Sequence, residues 1–162
     1  MFVGVQIVLV IFVIAAAYSD LRTRRIPNWL TVSGAALGFL LQLWYGGLHG
    51  AASSLTGAGF GLAIFIPLYV LGGMGAGDVK LFSAVGALTG PRILIVVFVF
   101  TGLLGGIAAL ALALSRGRLR ETLERTGSLM LGVRAAAGPD SLRLPYGAVI
   151  AGGTLLSLVV LH

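Results

Sequence analysis

The feature that most limits this chain is its division into long uncharged apolar stretches. The first, Phe2 to Ser19, contains no charged side chain, and similar runs recur to the C-terminus. A helix needs roughly 20 apolar residues to cross a bilayer. Over the 162 residues only 10% are charged and 58% are hydrophobic, whereas a soluble domain carries about 25% charged residues. The reading is an all-α integral membrane protein with little mass outside the bilayer.

Six transmembrane helices are expected, at about 2–19, 29–45, 51–71, 79–90, 93–114 and 145–161, in one membrane domain spanning 1–162. Asn28 is placed to cap the second helix, and Gly46 to Gly50 forms a short turn. Pro67 lies within an apolar run and reads as a tolerated kink. The fourth stretch is short for a full span, so it is either tilted or begins inside the protein. Trp29, Trp44 and Tyr45 fit interfacial aromatic belts. The first stretch lacks a basic region before it and is followed by further spans, so it reads as a retained helix and not a cleaved signal.

The net charge of +6 does not indicate nucleic-acid binding, because the basic residues fall between apolar runs. They set orientation instead. With the N-terminus outside, Arg22, Arg24, Arg25, Lys80, Arg116, Arg118, Arg120, Arg125, Arg134 and Arg143 are cytoplasmic, and Arg92 lies opposite. The cytoplasmic loop 115–144 contains a segment, Arg116 to Arg134, with Leu119, Leu123, Met130 and Val133 at near-helical spacing. That pattern suits a helix lying in the interface against anionic headgroups of the lipid bilayer. Gly117, Gly127 and Gly132 weaken it, and an irregular loop is the other reading.

The chain has no cysteine and two histidines, His49 and His162. This removes disulfides, thiolate nucleophiles and Cys-based zinc sites, argues against a His-based metal site, and no cofactor is expected. Two of the five acidic residues are placed where acids are costly. Asp20 directly follows the first apolar run, and Asp78 closes the sequence Gly72-Gly73-Met74-Gly75-Ala76-Gly77-Asp78 after another. An ionisable group at the edge of hydrocarbon costs a few kcal/mol and is a functional candidate by default. The orientation puts both acids at the same, cytoplasmic, depth. Taken singly, Asp20 could reach water beside Arg22 and Arg24, and Asp78 could cap a helix starting at Val79. Taken together they form a candidate dyad. Two carboxylates a few Å apart do not readily both ionise, so they share a proton. One then takes a proton from water while the other polarises a carbonyl. Gly75 and Gly77 allow positive φ and leave room for a second backbone to approach.

Asp20 followed by Arg24-Arg25-Ile26-Pro27-Asn28, then Gly75-Ala76-Gly77-Asp78-Val79-Lys80, then Leu144-Pro145-Tyr146-Gly147-Ala148, resembles the type IV prepilin peptidase family, intramembrane aspartic proteases of the GxGD group. The resemblance implies an aspartic endopeptidase that removes the basic leader of prepilins or pseudopilins. Cleavage would occur at the cytoplasmic face of a bacterial or archaeal cytoplasmic (inner) membrane, in type IV pilus assembly or protein secretion. It implies Asp20 and Asp78 as catalytic residues, with Pro27, Asn28, Gly75, Gly77 and Lys80 in supporting motifs. Lys80 either follows the positive-inside pattern or serves the site, by biasing the dyad or anchoring the loop. Large family members carry an N-terminal tetracysteine domain associated with N-methylation. The present chain resembles the short forms linked to Flp/Tad pili, and N-methylation is not expected of it. Pro145-Tyr146-Gly147 reads mainly as shaping the last helix.

Two other classes fit a membrane protein with acids: a transporter or proton channel, and a non-catalytic subunit of a pilus or secretion assembly. Ion carriers tend to hold acids near the bilayer midplane, on broken helices of paired repeats. Here no internal repeat is evident, and both acids lie at one edge.

Overall fold

The computed structural model describes residues 2–115 and 146–161, and all of its regular structure there is helical. Four elements follow in order: α1 (Val3–Thr23), α2 (Asn28–Val70), α3 (Ala76–Ser115) and α4 (Tyr146–Val160). Three helices, Val3–Thr23, Asn28–Val70 and Ala76–Leu112, are long and apolar enough to cross a membrane, and Tyr146–Val160 is a shorter apolar helix. The expected cytoplasmic loop and its interfacial segment lie outside the described residues.

α2 has 43 residues, about 65 Å if straight, twice a hydrocarbon core of about 30 Å. It does not run straight. Gly47 has φ 57° and ψ −145°, a conformation open to glycine and strained for other residues. The arms on either side, 28–46 and 48–70, run in opposite directions. α3 is likewise broken at Gly90 (φ 75°, ψ 170°), directly before Pro91. Proline has no N–H to give and a fixed φ, so it suits the first position of the resumed helix. Pro67 is carried inside α2, and the interior departure from helical angles in that element is at Gly47.

The short fourth stretch, expected to be tilted or internal, is the arm 76–89. It is the core of the molecule. Leu81, Phe82, Val85 and Leu88 are fully buried, because a helix apolar all round is buried on every side. Both arms of α2 meet it through glycine. A Cβ on Gly38 would come within 2.8 Å of the Leu88 nitrogen, and one on Gly61 within 2.9 Å of Ser83 Cα. Gly57 and Gly86 approach each other backbone to backbone. Lipid tails are as apolar as leucine, so close van der Waals contact between small residues, more than burial from water, holds such crossings. Gln42 Nε2 donates to the Leu88 carbonyl at 2.9 Å, satisfying an acceptor at the end of this arm. Phe82 packs edge-on to Phe65, ring centroids 4.2 Å apart. The arm 91–115 then returns alongside α4, where Gly153 meets Thr101 and Gly152 meets Leu104. Outward-facing residues such as Ile7, Ile11, Ile14, Leu103 and Ile107 are exposed.

This path gives the molecule two ends. Gly47 and Gly90 mark one. The other gathers the end of α1 and the starts of α2, α3 and α4.

Candidate active site

Asp20 lies in the last turn of α1, which continues to Thr23, four residues past the expected end. The turn beyond it is closed locally. Arg24 takes the left-handed conformation (φ 51°, ψ 32°), and its N–H donates to the Asp20 carbonyl at 2.8 Å. Ser19 Oγ and Thr23 Oγ1 donate to the Arg25 carbonyl at 2.9 and 3.1 Å. The Asp20 side chain is 6% exposed, and Arg22 turns away to the Tyr18 hydroxyl at 2.8 Å. The alternative of an acid reaching water beside Arg22 is therefore corrected: the end of α1 is covered by α4. The Ala148 N–H donates to Asp20 Oδ2 at 3.3 Å. A Cβ on Gly147 would stand 2.9 Å from both Asp20 Cβ and Oδ2, so the carboxylate rests against bare backbone. An acid in the last turn of a helix faces the negative end of that helix's dipole, and the N-terminal turn of α4 supplies the opposite field.

Asp78 is held differently. α3 begins at Ala76, not at Val79, so Asp78 sits within the first turn and caps backward. Its Oδ2 accepts the Gly75 N–H at 3.2 Å, while the Gly75 carbonyl accepts the N–H groups of Asp78 and Val79 at 3.1 and 3.4 Å. This is the backward half of a capping box, made by Asp in place of Glu; Gly75 has no side chain for the other half, and its main-chain carbonyl takes the N–H groups instead. Asp78 is half-buried. The expectation of positive φ at Gly75 and Gly77 is corrected as well. In this stretch the left-handed glycine is Gly72, with φ 79°. A Cβ on Gly77 would meet Ile26 Cβ at 3.4 Å, an ordinary contact, and one on Gly75 would lie 3.0 Å from Asp78 Oδ2.

The two aspartates lie at the same end of the bundle, near enough for each to feel the other's charge. Asp78 lies in the field of Asp20, and Tyr146 lies in the field of Asp78. Lys80 Nζ donates to Asn28 Oδ1 at 2.9 Å. Asn28 therefore does not cap α2. The helix starts at Asn28 itself, with Pro27 at the cap position (φ −66°, ψ 141°) and no side-chain cap bond. The amide is instead spent on tying the start of α2 to the first turns of α3. Among the described residues no cluster of three or more His, Asp or Glu side chains could hold a metal.

Sequence reasoning singled out both acids and quoted Gly147 and Ala148 within the motif that carries the resemblance, but it read Pro145-Tyr146-Gly147 mainly as shaping the last helix and gave neither residue a role beside Asp20. Pro145 lies outside the described residues.

Comparison with known proteins gives a consistent result. The Type IV leader peptidase family matches residues 7–110, a stretch that contains both aspartates, Asn28 and Lys80. The chain is 31% identical over 157 residues to a prepilin leader peptidase/N-methyltransferase of Bacillus subtilis (strain 168), covering 93% of this chain and 53% of that protein. It is 32% identical over 119 residues to a protein of the same description from Neisseria gonorrhoeae, covering 69% of this chain and 41% of that one. The chain thus spans about half the length, or less, of the curated relatives it matches. No solved structure matches it significantly.

Proposed function

The chain belongs to the type IV leader peptidase family, and from that premise we propose that it is an intramembrane aspartic endopeptidase. Its substrates are type IV prepilins or pseudopilins, whose leader it removes at the cytoplasmic face of the cytoplasmic (inner) membrane. The observation that supports this reading is that Asp20 and Asp78, from α1 and α3, lie at the same end of the bundle within electrostatic reach of each other. Each has one carboxylate oxygen occupied by a backbone N–H, from Ala148 and Gly75.

A dyad of this kind needs no covalent intermediate. The ionised carboxylate takes a proton from water as the water oxygen bonds to the scissile carbonyl carbon. The protonated partner donates to the carbonyl oxygen. Collapse of the tetrahedral diol breaks the C–N bond: the carboxyl that took the water proton gives it to the leaving amine, and the other carboxylate takes back a diol hydroxyl proton as the carbonyl re-forms, so the pair again holds one proton. Lys80 and Asn28 keep the starts of α2 and α3 in register around this centre. Gly72, Gly73 and Gly75 add no side chain near Asp78, and Met74 between them packs against the core.

The proposed topology is multi-pass, with six transmembrane segments, since the breaks at Gly47 and Gly90 divide two over-long helices. The end bearing the acids also bears Arg22, Arg24, Arg25 and Lys80, and is taken as cytoplasmic. Reporter fusions after Gly47 and after Gly138 are expected on opposite sides. The activity is tested by incubating the purified protein in lipid nanodiscs with candidate prepilins and weighing the products. A product shortened by the leader supports the reading, and intact prepilin across a panel with basic leaders rejects it.

A further inference from the structure

The Asp20 carboxylate is surrounded by chain from the far end of the sequence. The Ala148 N–H reaches its Oδ2, and the Gly147 position has room for hydrogen only. Tyr146, one residue earlier, is half-buried and lies in the field of the second aspartate. α4 is seated by tight packing further along, where Gly153 meets the backbone of Thr101 and Ile150, Ala151 and Thr154 are buried. Its first turn is therefore held in place independently of Asp20.

We propose that the first turn of α4 positions the Asp20 carboxylate: Gly147 admits it and the Ala148 N–H fixes its orientation. The inference rests on the reading of Asp20 and Asp78 as a peptidase dyad. The physical argument has two parts. A carboxylate with one oxygen bonded to a backbone N–H loses rotational freedom, and its other oxygen is presented in one direction. A methyl group at 147 would overlap Asp20 Cβ, Cγ and Oδ2, at 2.9, 3.0 and 2.9 Å. Neither backbone offers an easy retreat, since Asp20 is in a helix whose end is closed by Arg24 and α4 is wedged by Gly153. The side chain must rotate away. Such a displacement impairs the chemical step and leaves substrate binding largely intact.

The test uses the whole chain in lipid nanodiscs. Gly147→Ala should lower kcat for prepilin cleavage by about 10²-fold, the scale of misplacing a reacting group by roughly 1 Å, with KM within about threefold. Gly106→Ala, where an added Cβ meets nothing within 4 Å, should behave as the unmodified protein. A second readout does not depend on cleavage. Carbodiimide labelling followed by peptide mapping should show faster modification of Asp20 in Gly147→Ala, with Asp78 unchanged. If Gly147→Ala does not insert stably, Ala148→Pro removes the same N–H within the first helical turn, where proline is tolerated, and should reproduce the loss of kcat. Wild-type kcat in a folded Gly147→Ala or Ala148→Pro protein overturns the inference, as does unchanged Asp20 labelling. Failure of the unmodified chain to cleave any prepilin would instead remove the peptidase reading, while the labelling result still decides whether α4 positions Asp20.

Discussion

Asp20 and Asp78 are the same residue type at the same end of the molecule, yet their surroundings are opposites. Asp78 is held by Gly75, three residues away, inside a cap that α3 forms on its own. Asp20 is held by Ala148, 128 residues away, and is buried under a helix to which its own helix is not directly joined. A locally held acid is placed as soon as its helix forms. A remotely held one is placed only when the bundle closes. The two halves of the proposed dyad should therefore respond differently to damage elsewhere in the fold.

The most severe test removes each acid. Asp20→Asn and Asp78→Asn should each reduce prepilin cleavage by at least about 10²–10⁴-fold, the usual worth of general acid–base catalysis. Asn retains size and hydrogen bonding but cannot exchange the proton. The double variant should be scarcely worse, because the pair works as one unit. Near-normal cleavage by either single variant would dissolve the dyad and the comparison with it.

A gentler change separates the two. Gly153→Ala forces a methyl against Thr101 Cα and N, at 2.8 and 2.7 Å, and should destabilise the protein by about 1–3 kcal/mol through overpacking. Because it disturbs α4, hydrogen exchange in nanodiscs should accelerate at the Ala148 amide and stay unchanged at Gly75. Equal acceleration at both would mean that Asp78 also depends on the closed bundle.

The bond from Lys80 to Asn28 joins the α2 start to the Asp78 side of the site. Lys80→Met and Asn28→Ala should each lower kcat/KM by about two- to tenfold, in keeping with a net hydrogen bond of about 0.5–1.5 kcal/mol. The pair of substitutions should cost no more than either one, since both remove the same contact. Additive losses would show that Lys80 acts separately, on the dyad or the substrate.

The smallest effect is expected at Gly75→Ala. Its Cβ would lie 3.0 Å from Asp78 Oδ2, but Gly75 is exposed and the half-buried carboxylate, held by this local cap, can shift slightly. Cleavage within about threefold of normal is expected, against the far larger loss for Gly147→Ala, since ordinary surface substitutions stay within about 0.5 kcal/mol. A collapse of activity here would show that the local cap is as intolerant as the remote one.

Much of this was legible in the residues. The apolar runs and sparse charge determined an all-helical membrane chain, because hydrocarbon admits few other structures. Asp20 and Asp78 stood out because uncompensated acids are expensive at its edge. Glycine and proline at 46–47 and 90–91 marked both breaks. Local pattern failed where a residue had two possible uses. Asn28 is a good helix cap by type, but Lys80 lies within reach only after α2 and α3 pack, and the amide goes there. Asp78 fits a forward cap of a helix starting at Val79, but the helix starts at Ala76, three residues earlier, and the bond runs back to Gly75. The arm 76–89 looked merely short, and its place at the centre depends on glycines from both arms of α2. Composition and spacing thus determined which residues are candidates to carry chemistry. Only the tertiary structure decided that Gly147 and Ala148 complete the surroundings of Asp20, because a contact across 128 residues leaves no periodic trace in the chain.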